Sequence, residues 1–285
     1  MADDYIGKKM EDYRRGINAS AYRRKITPTG TSRGIWQVKF PARIAFVTGG
    51  ANGIGREIVK TLCQAGCRVA FCDTDTQAGT ATAQATGSQF HPVDVADADA
   101  LDSALCHVIK AWGGLDVIVN NVGIGNFKPL TESDITDFDR IIATNLRPVY
   151  VTARRMAIYR SSLPQLPELT GRIINISSTR AAMSEAGTEG YSASKGAVES
   201  LTHALMMSMA PLRVTVNCVA PGWINVDPNE KLRDADHEFH PSGRVGCAAD
   251  VAQTVTWLCS PGADFINGEI IRVDGGVTRK MIYPS

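Results

Sequence analysis

Tyr191 and Lys195 stand four residues apart in Tyr-Ser-Ala-Ser-Lys. Ala197, Leu201, Ala204 and Leu205 continue the segment as an apolar stripe. That spacing predicts one helix, with the phenol and the ammonium at i and i+4 on the same face. A tyrosine with an ordinary pKa of about 10 is a poor base near neutrality. A neighbouring ammonium stabilises the phenolate and lowers that value, so Lys195 is expected to tune Tyr191 for proton exchange. Tyr-x-x-x-Lys alone is a common accident. Here it follows Ile-Asn-Ile-Ser-Ser, which reads as a strand ending in two hydroxyls.

A second constellation lies near the start of the apolar body. Thr48-Gly49-Gly50-Ala51-Asn52-Gly53-Ile54-Gly55 follows a β-branched run and precedes a helix-length segment. Gly49 permits a tight turn, Gly53 lets backbone approach a diphosphate, and Gly55 lets helix and strand pack closely. The helix N-terminus then offers free N–H groups and a partial positive charge. Asp73 lies 18 residues past Gly55 at the end of the next strand. Its carboxylate is placed to accept from adenosine ribose hydroxyls, and it would repel a 2′-phosphate. NAD is therefore expected over NADP. Thr74 and Asp75 add no cation, and Asn52 stands where a basic residue would have paired with that phosphate. The alternative for Asp73 is an N-cap of the following helix.

Other chemistry finds little support. His91, His107, His203, His237 and His240 show no metal-ligand spacing, and no metal is expected. No G-x-S-x-G surrounds Ser177-Ser178, so they form no nucleophile elbow. Cys63, Cys67, Cys72, Cys106, Cys218 and Cys259 sit in apolar segments and read as small core residues. With seven cysteines and no Cys-x-x-Cys pair, a reducing cytoplasm fits better than disulfide staples. A net charge of +1 gives no general attraction to nucleic acid or anionic membrane. No apolar run reaches membrane-spanning length and no signal-peptide core is visible.

These groups need a scaffold, and the sequence alternates strands with helices from about Arg43. β-branched runs appear at 43–48, 68–72, 89–93, 115–120, 172–177, 213–219 and 269–273. Most are apolar almost throughout, as strands covered on both faces must be. Ile58, Leu62 and Ala65, and later Val251, Val255 and Leu258, repeat on helical faces. The expected class is α/β: a single Rossmann-fold domain, a doubly wound parallel seven-stranded sheet with helices on both faces. Ligands should gather at the strand carboxyl ends, at the topological switch point. The domain is expected over residues 41–285, preceded by an arm over 1–40. That arm carries nine basic and four acidic residues, +5 against −4 for the remainder.

Taken in order, these motifs resemble the short-chain dehydrogenase/reductase family from about Arg43 to Val277. The turn Thr48–Gly55 resembles its TGxxxGIG, Asp94-Val95 its adenine-contacting pair, and Asn120-Asn121-Val122-Gly123 its NNAG. Asn145 matches the asparagine of the family's catalytic tetrad. Ser178, 13 residues before Tyr191, matches its serine, and Ser177 does not. Pro221-Gly222 and Val273-Asp274-Gly275-Gly276 match two further motifs. The resemblance implies that Asn145, Ser178, Tyr191 and Lys195 are catalytic. It implies that Gly49, Asn52, Gly53, Ile54, Gly55, Asp73, Asp94, Val95, Asn121, Gly123, Tyr191, Lys195, Pro221, Gly222 and Ile224 bind NAD. In that scheme Tyr191 exchanges a proton with the substrate oxygen and Ser178 holds that oxygen. Lys195 binds the nicotinamide ribose and depresses the tyrosine, and Asn145 holds a water that relays protons. One departure is Val226, where the family often has a threonine; Asn225 or Asp227 is a candidate replacement.

The substrate is less legible. Residues 226–243 lie where the family places its substrate loop and are mostly charged, and the other wall carries Ser184, Glu185, Thr188 and Glu189. A small hydroxylated compound, a sugar or polyol, suits such a pocket; the other reading is that the charges face solvent. Three functions stay in play. The first is an NAD-dependent alcohol dehydrogenase. The second is a 3-oxoacyl thioester (acyl carrier protein) reductase using NADPH, and the third a non-catalytic NAD-binding regulatory protein. The family implies a homodimer or homotetramer built on the helix from Asp134 and the one carrying Tyr191. In the arm, Ile6, Met10, Tyr13 and Ile17 share one helix face. Gly7 and Gly16 weaken such a helix, so it is expected to order only by docking, in preference to a membrane-surface role or a frayed tail.

Overall fold

Successive residues of the central strands face opposite layers, and that alternation builds the core. A computed structural model describes residues 43–281, apart from 169 and 228. The arm, with the stripe from Ile6 to Ile17, lies outside the described residues. Strand β1 (Ile44–Thr48) sends Ala45 and Val47 to one side and Phe46 to the other. Strand β4 (Val117–Asn120) does the same with Val117 and Val119 against Ile118.

On the first face these side chains meet Ile58 and Leu62 of α1 (Gly53–Gln64) and Val251, Val255 and Leu258 of α8 (Ala248–Leu258). On the second they meet Leu101 and Leu105 of α3 (Ala98–Trp112), Met156 of α5 (Arg147–Ser161) and Val198 of α6 (Glu189–Met209). Each fully buried aliphatic side chain contributes roughly 1.5–3 kcal/mol of transfer free energy. The helical faces expected from Ile58, Leu62 and Ala65 and from Val251, Val255 and Leu258 are all buried.

The remaining sheet strands are β2 (Arg68–Asp73), β3 (Gln89–Pro92), β5 (Gly171–Ile176), β6 (Val214–Pro221) and β9 (Ile270–Val273). The seven pair in parallel in the order β3-β2-β1-β4-β5-β6-β9. Each expected run holds one of these strands. The order reverses between β1 and β4, which opens a crevice at their carboxyl ends. Helix α2 (Thr76–Thr86) joins β2 to β3, and α4 (Ile135–Asn145) precedes α5. A short parallel pair, β7 (Ile224–Asn225) with β8 (Gly246–Cys247), brackets the loop that contains α7 (Asp234–Glu238). Among the described residues no helix is long and apolar enough to cross a membrane.

Candidate active site

The turn after β1 is shaped by what its glycines lack. Gly49 and Gly53 have φ of 69° and 54°, in the left-handed region that side chains avoid. A Cβ on Gly55 would lie 1.8 Å from the Gly49 carbonyl oxygen, so only glycine lets α1 start this close to the turn. Asn121 fastens the turn from β4: its Nδ2 donates to the carbonyls of Thr48 and Gly49 at 3.2 and 3.0 Å. Thr48 Oγ1 in turn accepts from Asn121 N at 3.0 Å and Val122 N at 3.3 Å.

Helices α2, α3 and α4 begin with capping aspartates, Asp75, Asp97 and Asp134. Helix α1 begins with Asn52, which makes no capping bond, and has no acid in its first turn. Its first N–H groups and positive dipole end are left for an anionic ligand such as a dinucleotide diphosphate. The Asn52 amide donates instead to Asp75 at 3.0 Å.

Asp73 closes the turn from β2. Its carboxylate accepts from Ala51 N at 3.0 Å and Asp75 N at 3.1 Å. The cap of α2 is Asp75, which accepts from Ala78 N at 2.9 Å, so Asp73 is not that cap. Each carboxylate oxygen keeps acceptor capacity, which suits ribose hydroxyls. Beyond β3, Asp94 accepts from Ala96 N at 2.9 Å and Val95 is buried.

The chemical groups converge where β5 meets α6. Lys195 is 3% exposed, and its Nζ donates to the Ile176 carbonyl at 2.8 Å. It stands 5.7 Å from the centre of the Tyr191 ring. A Cβ on Gly123 would lie 2.8 Å from Nζ, so the glycine makes room for the ammonium. Burial pushes Lys195 down to about 8. Burial also pushes the Tyr191 phenol above its ordinary value, against the Ser178 hydroxyl and the Arg180 charge, which favour phenolate.

The expected depression of Tyr191 by Lys195 is therefore not found. The protein's own groups leave the phenol high, because desolvation outweighs the nearby donors. Ser177 Oγ is turned away, donating to the Lys195 carbonyl and to Glu199 at 3.1 Å each. Ser178 caps the turn 179–181, accepting from Arg180 N at 3.2 Å. Asn145, 2% exposed, donates to the Ile124 carbonyl and Ser194 Oγ, both at 2.9 Å, and accepts from Ile124 N at 2.8 Å. The carboxamide thus braces the 123–125 loop against α6, and both its N–H donors are occupied by protein.

The sequence profile of a family described as enoyl-(acyl carrier protein) reductase matches residues 49–278. An "uncharacterized oxidoreductase" of Thermotoga maritima is 36% identical over 255 residues, covering 85% of this chain and 98% of the relative. A 3-oxoacyl-[acyl-carrier-protein] reductase of Vibrio harveyi is 33% identical, covering 82% and 97%. A short-chain dehydrogenase of Burkholderia cenocepacia, solved in complex with NADP, is 32% identical with a TM-score of 0.74, covering 83% and 98%. The chain belongs to the short-chain dehydrogenase/reductase family. It is an oxidoreductase acting on CH–OH or keto groups.

As a member of that family it binds a nicotinamide cofactor. Pro221 ends β6, and Gly222 N donates to the Val273 carbonyl at 2.9 Å. A Cβ on Gly222 would meet that of Asp274 at 2.8 Å. Ile224 packs into the first core layer. Val226 lies over the glycine turn, its methyls 3.5 and 3.9 Å from where a Gly53 Cβ would be. Neither candidate substitute is clearly presented: the Asn225 carboxamide oxygen accepts from Asp227 N, and Asp227 from Asn229 N.

The sequence reading also missed groups. Phe127 sits 5.9 Å from the Tyr191 ring centre, and Arg180 lies over Phe127 at 5.5 Å. Arg180, two residues past Ser178, was within reach of a sequence argument; Phe127, placed by a φ of 45°, was not. The buried chain Thr152–Asn120–Asn175–Thr202, with bonds of 2.8–2.9 Å, was missed too. It ties the carboxyl ends of β4 and β5 to α5 and α6.

Proposed function

We propose that this chain is an NAD-dependent oxidoreductase that moves a hydride between a secondary alcohol or ketone and the nicotinamide. One observation carries the reading. Ser178, Tyr191 and Lys195 meet at the end of β5, across the crevice from an uncapped α1 and the Asp73 carboxylate.

The bound nicotinamide supplies the hydride chemistry. Tyr191 exchanges the proton of the substrate oxygen, and Ser178 holds that oxygen. Lys195, charged below about pH 8, is assigned to the nicotinamide ribose hydroxyls. Asn145 holds the loop that carries Gly123 and Ile124 in place. The remaining residues named for the cofactor contribute the cradle, the ribose acceptor and the walls. General acid–base work of this kind is worth about 10²–10⁴-fold.

Asp73 supports NAD over NADP, since its carboxylate would face a 2′-phosphate. A small polar substrate, of the sugar or polyol type, suits the 226–243 loop. Within that loop Arg233 pairs with Asp236, and just beyond it Arg244 pairs with Asp250. A 3-oxoacyl-thioester reductase using NADPH is the second reading, favoured by the Vibrio harveyi relative and opposed by Asp73.

Assembly as a homodimer or homotetramer is supported by the exposed Ile135 and Phe138 on α4, and the free cysteines fit a cytoplasmic setting. The catalytic domain over 41–285 and the arm over 1–40 belong to the same proposal. Fluorescence titration with both cofactors, followed by turnover on a panel of polyols, sugars and hydroxysteroids, tests it. Tighter NAD binding and NAD-linked turnover are expected; equal or tighter NADP binding would overturn the cofactor assignment.

A further inference from the structure

Three arginines of this fold are placed by their hydrogen bonds. Arg155 forks onto Asp102, and Arg244 forks onto Asp250 through both terminal nitrogens at 2.6 Å. Arg172 donates to the carbonyls of Thr170, Gly171, Leu258 and Ser260 and to Asp264. Arg180 is different. Its ion-pair partner is Glu185, 2.6 Å from Nη2, and that carboxylate is 76% exposed. Nη1 is enclosed and has no acceptor. An exposed ion pair is weak, and an enclosed donor without a partner is unfavourable. Nothing in these contacts explains the position of the guanidinium as a stabilising device.

Its surroundings explain it better as a site. The Arg180 N–H donates to Ser178 Oγ, the hydroxyl beside Tyr191. The guanidinium lies over the Phe127 ring, whose other neighbour is the Tyr191 ring. Phe127 is held at a φ of 45°, a backbone region unfavourable for a bulky residue, and is 60% exposed. Gly125 allows that fold-back, since a Cβ there would lie 2.7 Å from Phe127 Cζ. Strain of this kind collects at ligand-binding positions. One cation therefore stacks on the ring that neighbours the Tyr191 ring, and its side chain is 31% exposed.

We propose that, among the small hydroxylated compounds suited to this site, the substrate is a hydroxy or oxo acid whose carboxylate is bound by Arg180. This rests on Tyr191 and Ser178 holding the reacting oxygen. The Nε–Nη2 edge of the guanidinium matches a carboxylate in two parallel bonds, and the enclosed Nη1 takes no part in them. The Phe127 ring screens one side from water, which strengthens the pairing. Glu185 is a weakly held occupant that the substrate displaces.

The test compares 2-, 3- and 4-oxo acids with their methyl esters, which remove the charge and add one methyl group. Binding to the enzyme–NADH complex is read by NADH fluorescence and turnover by NADH absorbance. At least one acid should bind, and show a KM, roughly tenfold or more below its ester. Arg180→Met should erase that ratio, and Arg180→Lys, which keeps the charge without the fork, should retain part of it. Esters that match or better every acid overturn the proposal, and that wild-type comparison needs no variant to fold. An undiminished ratio in Arg180→Met overturns it as well. Acids bound in an Arg180-dependent way without hydride transfer would refute the assigned chemistry and leave the carboxylate site standing. Turnover without an acid preference would do the reverse.

Discussion

At the β1–α1 turn the surface offered to a ligand is backbone, made possible by two left-handed glycines and by the Cβ that Gly55 lacks. At the β5–α6 junction it is side chain: Ser178, Tyr191 and a nearly sealed Lys195. At the turn, Asp73 and Asp75 hold backbone N–H groups. At the junction, burial displaces both the phenol and the ammonium from their ordinary values. The first half depends on shape, and an added Cβ at Gly49 or Gly55 would meet neighbouring atoms at 2.9 and 1.8 Å. The second half depends on protonation, and its behaviour follows from how much water is excluded.

Substitution at Gly55 would separate the halves most sharply. Gly55→Ala puts a Cβ against the Gly49 carbonyl, a backbone atom that cannot rotate away. NAD binding should be lost, with a stability decrease of about 1–3 kcal/mol. Cofactor titration and thermal denaturation would check both; near wild-type NAD affinity would show that the cradle is not where the diphosphate sits.

Asp73→Asn keeps an acceptor for Ala51 N while removing the charge. Contact between like charges near 4 Å costs about 1–4 kcal/mol across water-like to surface dielectrics. NADP affinity should therefore rise by roughly tenfold or more relative to NAD, read as a ratio of dissociation constants. An unchanged ratio would remove Asp73 from cofactor choice.

Lys195 gives the most specific effect. Its folded value of about 8 lies below the ordinary 10.5. Below pH 8 the amine is charged in both folded and unfolded chains, and the burial penalty is fully present. Between 8 and about 10 the unfolded chain binds more protons, so wild-type stability gains with rising pH. Lys195→Met has no such group. The melting temperature of the wild type should thus rise relative to Lys195→Met across that window, by an amount worth up to about 3 kcal/mol. Parallel curves would mean that the ammonium is better solvated than its burial indicates.

The sequence carried the first half almost to the atom, because a missing Cβ and a hydrophobic period are local signals. The strands, the turn, Asp73 and the face shared by Tyr191 and Lys195 all lay in short windows. Protonation did not. The i, i+4 spacing suggested a phenol lowered by its lysine. The desolvation that raises it comes from folding the turn after Ser178 and the loop at Phe127 around it. Asn145 was matched as a residue, yet its contacts with Ile124 and Ser194 join segments 21 and 49 residues away. Arg180 was passed over because a surface arginine and a site arginine look alike until their partners can be seen.

Comparing Tyr191→Phe with wild type, in both NAD affinity and turnover on a responding alcohol, tests the assignment of the two halves most directly. The variant should bind NAD as the wild type does and lose nearly all turnover, about 10²–10⁴-fold. The phenolic oxygen moves the proton and holds little of the cofactor. A variant that kept most of its kcat, or lost NAD along with it, would contradict the assignment of proton exchange to Tyr191.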